Sequence, residues 1–185
     1  MIHTLDKNKH NLENLDIKVF TKIENTLTNT FVTSDLNYKW DKDNKNILSN
    51  INLLCNLNST LIIVGDSFNC KRDIINFYDN IICKELIYIC GDKDNFLNHH
   101  RENEYFLGVT DLIYFNCENF KFGCCHYPMI DWKNKQKDVP LLHGHSIKHN
   151  VTQTLDISWI TSKYYMGENT VLSLAKAKSI LKIKK

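Results

Sequence analysis

The sequence predicts a single α/β domain with parallel strands, and three observations predict it. Two continuous apolar runs, 61–64 and 86–90, are short and rich in β-type residues, the pattern of strands buried on both faces. Each is preceded by a segment with helical spacing: Ile47, Leu48, Ile51, Leu54 and Cys55, then Ile74, Ile75, Phe77, Tyr78, Ile81 and Ile82. The 185 residues suit one core, and no Gly/Ser linker, repeat or composition break divides them.

Taken in order, residues 1–14 are polar and of mixed charge, which predicts a loose start. Residues 16–20 alternate apolar and polar through Ile17 and Val19, and 30–33 do so again, which predicts two short strands or a hairpin. A helix over 47–57, a strand over 61–64, a helix over 72–83 and a strand over 86–90 then complete a βαβαβ alternation from residue 30 to 90. Strand-like stretches follow at 112–116, 120–125, 139–142 and 154–160. Their close spacing predicts antiparallel hairpins or a second sheet. Val171, Leu172, Leu174, Ala175, Ile180 and Leu181 predict a last helix over 170–182, with Lys176, Lys178, Lys182, Lys184 and Lys185 on its solvated face and C-terminal end.

Composition excludes some classes. A net charge of +2 is too mild for a dedicated nucleic-acid binder. No run approaches the apolar length of a membrane helix, and the start lacks the apolar stretch of a secretory signal. The expectation is a cytoplasmic protein without a membrane partner. Seven cysteines, an odd number set mostly in apolar runs without CxxC spacing, read as core thiols, with ligation by Cys124–Cys125 the lesser alternative. Heavy use of Asn, Lys and Ile bears the mark of an AT-rich genome, so isolated Asn and Lys residues carry little weight.

The informative polar residues stand just after the predicted strands. Asp35 follows 31–33, Asp66 follows 61–64 through Gly65, and Asp92 follows 86–90 through Gly91. His126 follows 120–125, and His143 and His145 follow 140–142. Ligands of open α/β sheets bind at the carboxyl ends of strands. Carboxylates and imidazoles gathered there suit Mn, Fe, Zn or Co. A Gly-Asp pair alone is commonly a turn, and a His-x-His pair alone is commonly incidental. Their conjunction at strand ends of one short domain gives them meaning.

The segments concerned are Ser34-Asp35-Leu36-Asn37, Gly65-Asp66-Ser67-Phe68, Gly91-Asp92-Lys93-Asp94, His126-Tyr127-Pro128 and Leu142-His143-Gly144-His145-Ser146. In this order they resemble the motifs of the calcineurin-like metallophosphoesterases: Asp-x-His, Gly-Asp, Gly-Asn-His-Asp/Glu, a single His and a final His-Gly-His. Trp132 and Leu155-Asp156-Ile157 fit as well, and the likeness covers roughly residues 30 to 180, closest to small bacterial and phage members.

The resemblance implies a two-sheet αββα sandwich spanning 1–185 and two divalent metal ions. Asp35, Asp66 and His145 would hold one ion with Asp66 bridging, and Asp92, His126 and His143 would help hold the second. Asn37 stands where the first motif has an imidazole, and offers a weaker amide oxygen. Asp92 stands where the third motif has Asn, and Lys93 where it has the catalytic His. Asp92 and Lys93 are thus the catalytic candidates, with His99 or His100 as a substitute imidazole from the following loop. The implied activity is hydrolysis of a phosphomonoester or phosphodiester, nucleotides and nucleic acids among the candidate substrates. The alternative is a catalytically impaired member acting as a binding or scaffold protein.

Overall fold

The computed structural model describes residues 3–4, 21–97, 105–145 and 151–183. Among them are two sheets and four α-helices. The five-stranded sheet has the order β11-β3-β4-β5-β6, from Leu172–Ser173 (β11), Thr30–Thr33 (β3), Thr60–Val64 (β4), Glu85–Ile89 (β5) and Gly108–Thr110 (β6). Strands β3 to β6 run parallel, and β11 joins β3 antiparallel. Parallel pairing follows from the crossovers, since α1 (Lys45–Leu54) joins β3 to β4 and α2 (Lys71–Asn80) joins β4 to β5.

The six-stranded sheet has the order β1-β2-β7-β8-β9-β10, from His3–Thr4 (β1), Thr21–Lys22 (β2), Leu112–Cys117 (β7), Phe120–Cys125 (β8), Leu141–His143 (β9) and Thr154–Asp156 (β10). Only β7 and β8 form the expected antiparallel hairpin, turning at Glu118 and Asn119, both with positive φ. Strand β8 pairs parallel with β9, and β9 parallel with β10.

The period-two alternation of each strand builds the layers. Val32, Ile62, Val64, Ile87 and Ile89 meet Ile113, Phe115, Cys117, Phe122 and Cys124 between the sheets. The alternate residues Phe31, Leu61, Ile63, Leu86 and Tyr88 face the helices, packing with Ile51, Ile74 and Phe77. The outer face of the six-stranded sheet carries Tyr114, Cys125, Trp132 and Leu141. Among the described residues that face is closed by the Trp132 segment, whose indole Nε1–H donates to the Val139 carbonyl at 2.7 Å, and not by a helix. The cysteines are free, and all but Cys70 are buried, as core thiols should be. Among the described residues no helix is long and apolar enough to cross a membrane.

Several boundaries differ from expectation. The predicted strand over 16–20 lies outside the described residues, and His3–Thr4 within the expected loose start pairs as β1. The predicted strand over 154–160 ends at Asp156, and α3 (Trp159–Met166) follows. Trp159, Ile160 and Thr161 favour strands by propensity, but Asp156 overrides them. Its Oδ1 accepts the Ser158 N–H at 2.9 Å and its Oδ2 accepts the Thr161 hydroxyl at 3.0 Å, fixing the first turn of a helix. Gly167, with φ 84°, ends α3 by donating its N–H to the Lys163 carbonyl. The last helix, α4, is Leu174–Ile183, because Leu172 and Ser173 are taken by pairing with β3.

The helix layer depends on an aromatic cluster. Phe77 of α2 is fully buried, edge-on to Tyr38 at 5.2 Å and to Phe68 at 5.1 Å between centroids. Phe77→Ala is therefore expected to lower unfolding free energy by about 3–5 kcal/mol, read as a reduced midpoint in urea denaturation with an unchanged slope.

Candidate metal centre

The carboxyl ends of β3, β4, β5, β8 and β9 open onto one edge, and the backbone there is unusual. Asp35, Asn37, Asp66 and His145 all take left-handed conformations, with φ of 53°, 50°, 52° and 47°. Such non-glycine residues each cost about 1–3 kcal/mol and persist where their surroundings over-determine them. The determinants are visible. The Asp35 N–H donates to the Gly65 carbonyl at 3.1 Å, the Asp66 N–H to Asp94 Oδ2 at 2.9 Å, and the His145 N–H to Asp35 Oδ2 at 3.1 Å.

These turns aim four side chains at one point. Asp66, Asp92, His126 and His145 each offer one ligand atom, and these atoms lie within 4.8 Å of one another. The two aspartates come from the five-stranded sheet and the two histidines from the six-stranded sheet. His126 Nε2 is 3.6 Å from Asp66 Oδ2, and His145 Nδ1 is 3.3 Å from Asp92 Oδ2.

The residues present fit a metal ion. His126 is fully buried, and its Nδ1 lies 3.0 Å from the Val64 carbonyl. A carbonyl only accepts, so Nδ1 carries the proton and Nε2 keeps its lone pair. That Nε2 is buried without a hydrogen-bond partner while facing Asp66. Metal-ligating histidines are held this way, with the far nitrogen donating to a carbonyl.

Supporting groups fix the shell. Asp94 is completely buried, accepting from the Asp66 and Gly91 N–H groups on Oδ2 and from the Tyr88 hydroxyl on Oδ1. Burial pushes its carboxyl above the usual range, against these donors. Burial also raises the Asp35 carboxyl, opposed first by the Ser34 hydroxyl that donates to it at 2.5 Å. The Tyr127 hydroxyl donates to Asp92 Oδ1, and this bond pushes the phenol up to about 12. Gly91 is required by close approach, since a Cβ there would meet Asp66 Oδ1 at 2.5 Å and His126 Cδ2 at 2.9 Å.

The other candidates stand around this group. Asp35 borders it and steers the His145 backbone. His143 is buried, with Nδ1 donating to the Gly144 carbonyl at 2.7 Å, and is not one of the four. Asn37 is exposed. Lys93 donates its N–H to Asp66 Oδ1 at 2.9 Å, and its Nζ lies 3.4 Å from Asp66 Oδ2. The converging four thus draw on both predicted ion sets. His99, His100 and Ser146 lie outside the described residues. No cysteine joins the group among the described residues. Sequence reasoning gave no role to Asp94 or Tyr127. Each adjoins a residue it did single out, and an aspartate three residues after a strand-ending glycine is the signal for Asp94.

No protein-family model matches the chain, and no curated protein does. Among solved structures, one of a protein of unknown function, AQ665 from Aquifex aeolicus, is similar in fold, with a TM-score of 0.57 and 14% identity over 82% of this chain and 98% of that one.

Removing the Asp94 carboxylate strands three donors. Asp94→Ala is expected to cost about 3–9 kcal/mol, at 1–3 kcal/mol for each buried group left unpaired, and to weaken metal binding. Denaturant titration and calorimetry with Mn²⁺ check the two effects.

Proposed function

We propose that the chain is a metal-dependent phosphoric ester hydrolase on the calcineurin-like metallophosphoesterase plan, acting on a phosphomonoester or phosphodiester. The reading is carried by Asp66, Asp92, His126 and His145, which converge from two sheets with ligand atoms within 4.8 Å. Their order along the chain is that of the family's motifs. A divalent ion such as Mn, Fe, Zn or Co bound there lowers the pKa of water toward neutrality and polarises a phosphoryl oxygen.

The chain's own residues supply the rest. Asp66 and Asp92 bring the negative charge that retains a cation, and His126 is locked in the tautomer that donates. Lys93, its side chain 60% exposed, holds an ammonium at the mouth, where it can neutralise phosphoryl charge. The Tyr127 ring, 5.6 Å from His145 between centroids and partly exposed, forms a wall for the group attached to phosphorus. A nucleotide or nucleic acid fits the substrate class, because the base can lie on such a ring.

A second reading, a non-catalytic binding protein, is favoured by Ile160 and Tyr164. These stand four residues apart on α3, 68% and 86% exposed.

With Mn²⁺, the purified protein is expected to release p-nitrophenol from p-nitrophenyl phosphate or its bis ester. His126→Ala and Asp66→Ala should each lower that rate at least about 100-fold, since even outer-shell changes at metal sites cost 10–100-fold. Equal rates in the variants and the parent would sink the hydrolase reading. A parent that binds Mn²⁺ yet hydrolyses neither ester would favour the second.

A further inference from the structure

Resting on the metal-dependent reading above, we propose that Lys93 supplies this site's second positive charge, so that the chain holds one divalent ion where the resemblance implies two. Both ends of residue 93 engage the same carboxylate. The Lys93 N–H donates to Asp66 Oδ1 at 2.9 Å, and Nζ stands 3.4 Å from Oδ2. The backbone bond tethers the ammonium beside Asp66, so its local concentration there is high. Asp66 Oδ2 is also the oxygen that His126 Nε2 faces, at 3.6 Å. An ion shared between His126 and Asp66 therefore finds a cation already seated on the shared oxygen.

The remaining donors are poorly placed to hold another ion against that repulsion. Asp35 Oδ2 already accepts from the Ser34 hydroxyl at 2.5 Å and from the His145 N–H at 3.1 Å. Asn37 is exposed and brings no charge. His143 stands outside the four-residue group whose ligand atoms lie within 4.8 Å of one another. Asp94 spends both oxygens on the Asp66 and Gly91 N–H groups and the Tyr88 hydroxyl. One ion at Asp66, Asp92, His126 and His145, with Lys93 beside it, matches the donors available. The Lys93 side chain is largely exposed, so it lowers the affinity for a second ion without locking it out.

The test is Mn²⁺ titration of chelator-treated full-length protein by calorimetry, with metal content measured after gel filtration and circular dichroism as the folding control. The parent is expected to retain about one Mn²⁺ per chain and Lys93→His about two, because the imidazole adds a donor where the ammonium repels. Lys93→Gln removes the charge without adding an imidazole, and should bind its first ion about three- to tenfold tighter, the scale of an exposed charge interaction. Two Mn²⁺ per parent chain would overturn the proposal and leave the hydrolase reading standing. One ion in all three proteins at equal affinity would overturn it as well. No Mn²⁺ on the parent or on Lys93→His would overturn both.

Discussion

The hydrogen bond from His126 Nδ1 to the Val64 carbonyl ties the two sheets together at the edge where the chemistry gathers. It runs from the end of β8 to the end of β4, across the layer that buries Val64 against Cys124. The imidazole is fully buried, so leaving this bond unmade would strand a polar group in the core. Much of the local sequence follows from the ring's position. Gly65 sits so close that a Cβ would stand 2.7 Å from His126 Cγ, and a Cβ on Gly91 would stand 2.9 Å from the same atom. At Gly91 the glycine is there because an imidazole and a carboxylate fill the space a side chain would need, while Gly65, with φ 74°, answers both to the ring and to the turn.

From that bond the rest of the edge is assembled by backbone donors meeting carboxylates. Asp94 holds the turn of Asp66 and the turn at Gly91 with one oxygen, and so sets the distance between the ends of β4 and β5. Asp35 does the same between β3 and the segment carrying His145. The Gly144 N–H donates to the His126 carbonyl at 3.1 Å, joining β8 to β9 beyond their ladder. Asp35, Asp66 and His145 are held left-handed by these bonds, and the strain they carry lies beside the converging ligand atoms.

The parallel half of this molecule was legible because its signals are local. Strands β4 and β5 are buried on both faces and read as unbroken apolar runs, while α1 and α2 show helical spacing bounded by polar residues. The site residues at their ends were legible for the same reason, since a strand end in such a sheet is a position known from sequence. What was lost depends on tertiary choice. Helix α3 is set by Asp156 acting on the turn that follows it, against the β-propensity of Trp159, Ile160 and Thr161. Strands β6 and β11 span three and two residues, too short for any period to register. Partition among ligands was also illegible, because it turns on side-chain direction. His143 and His145 are alike in sequence, yet only the second lies in the four-residue group.

Charge balance explains why this edge suits a cation better than a neutral ligand. Asp66 and Asp94 are both buried carboxylates close to the same turn, and a buried charge must be paired or generously hydrogen-bonded. Asp94 meets that demand with two N–H groups and one hydroxyl. Asp66 meets it only in part: its Oδ1 accepts one N–H, and its Oδ2 is paired with the largely exposed Lys93 ammonium and faces an unpartnered imidazole nitrogen. Two buried carboxylates, one after β4 and one after β5, are thus treated oppositely. One is saturated by hydrogen bonds and positions the backbone, and the other keeps an oxygen that faces cations, the Lys93 ammonium among them. A fold can be shared by unrelated activities, so function has to be read from such a difference between neighbouring groups. Here the difference marks Asp66 as the residue on which His126 and Lys93 converge and where a cation could be held.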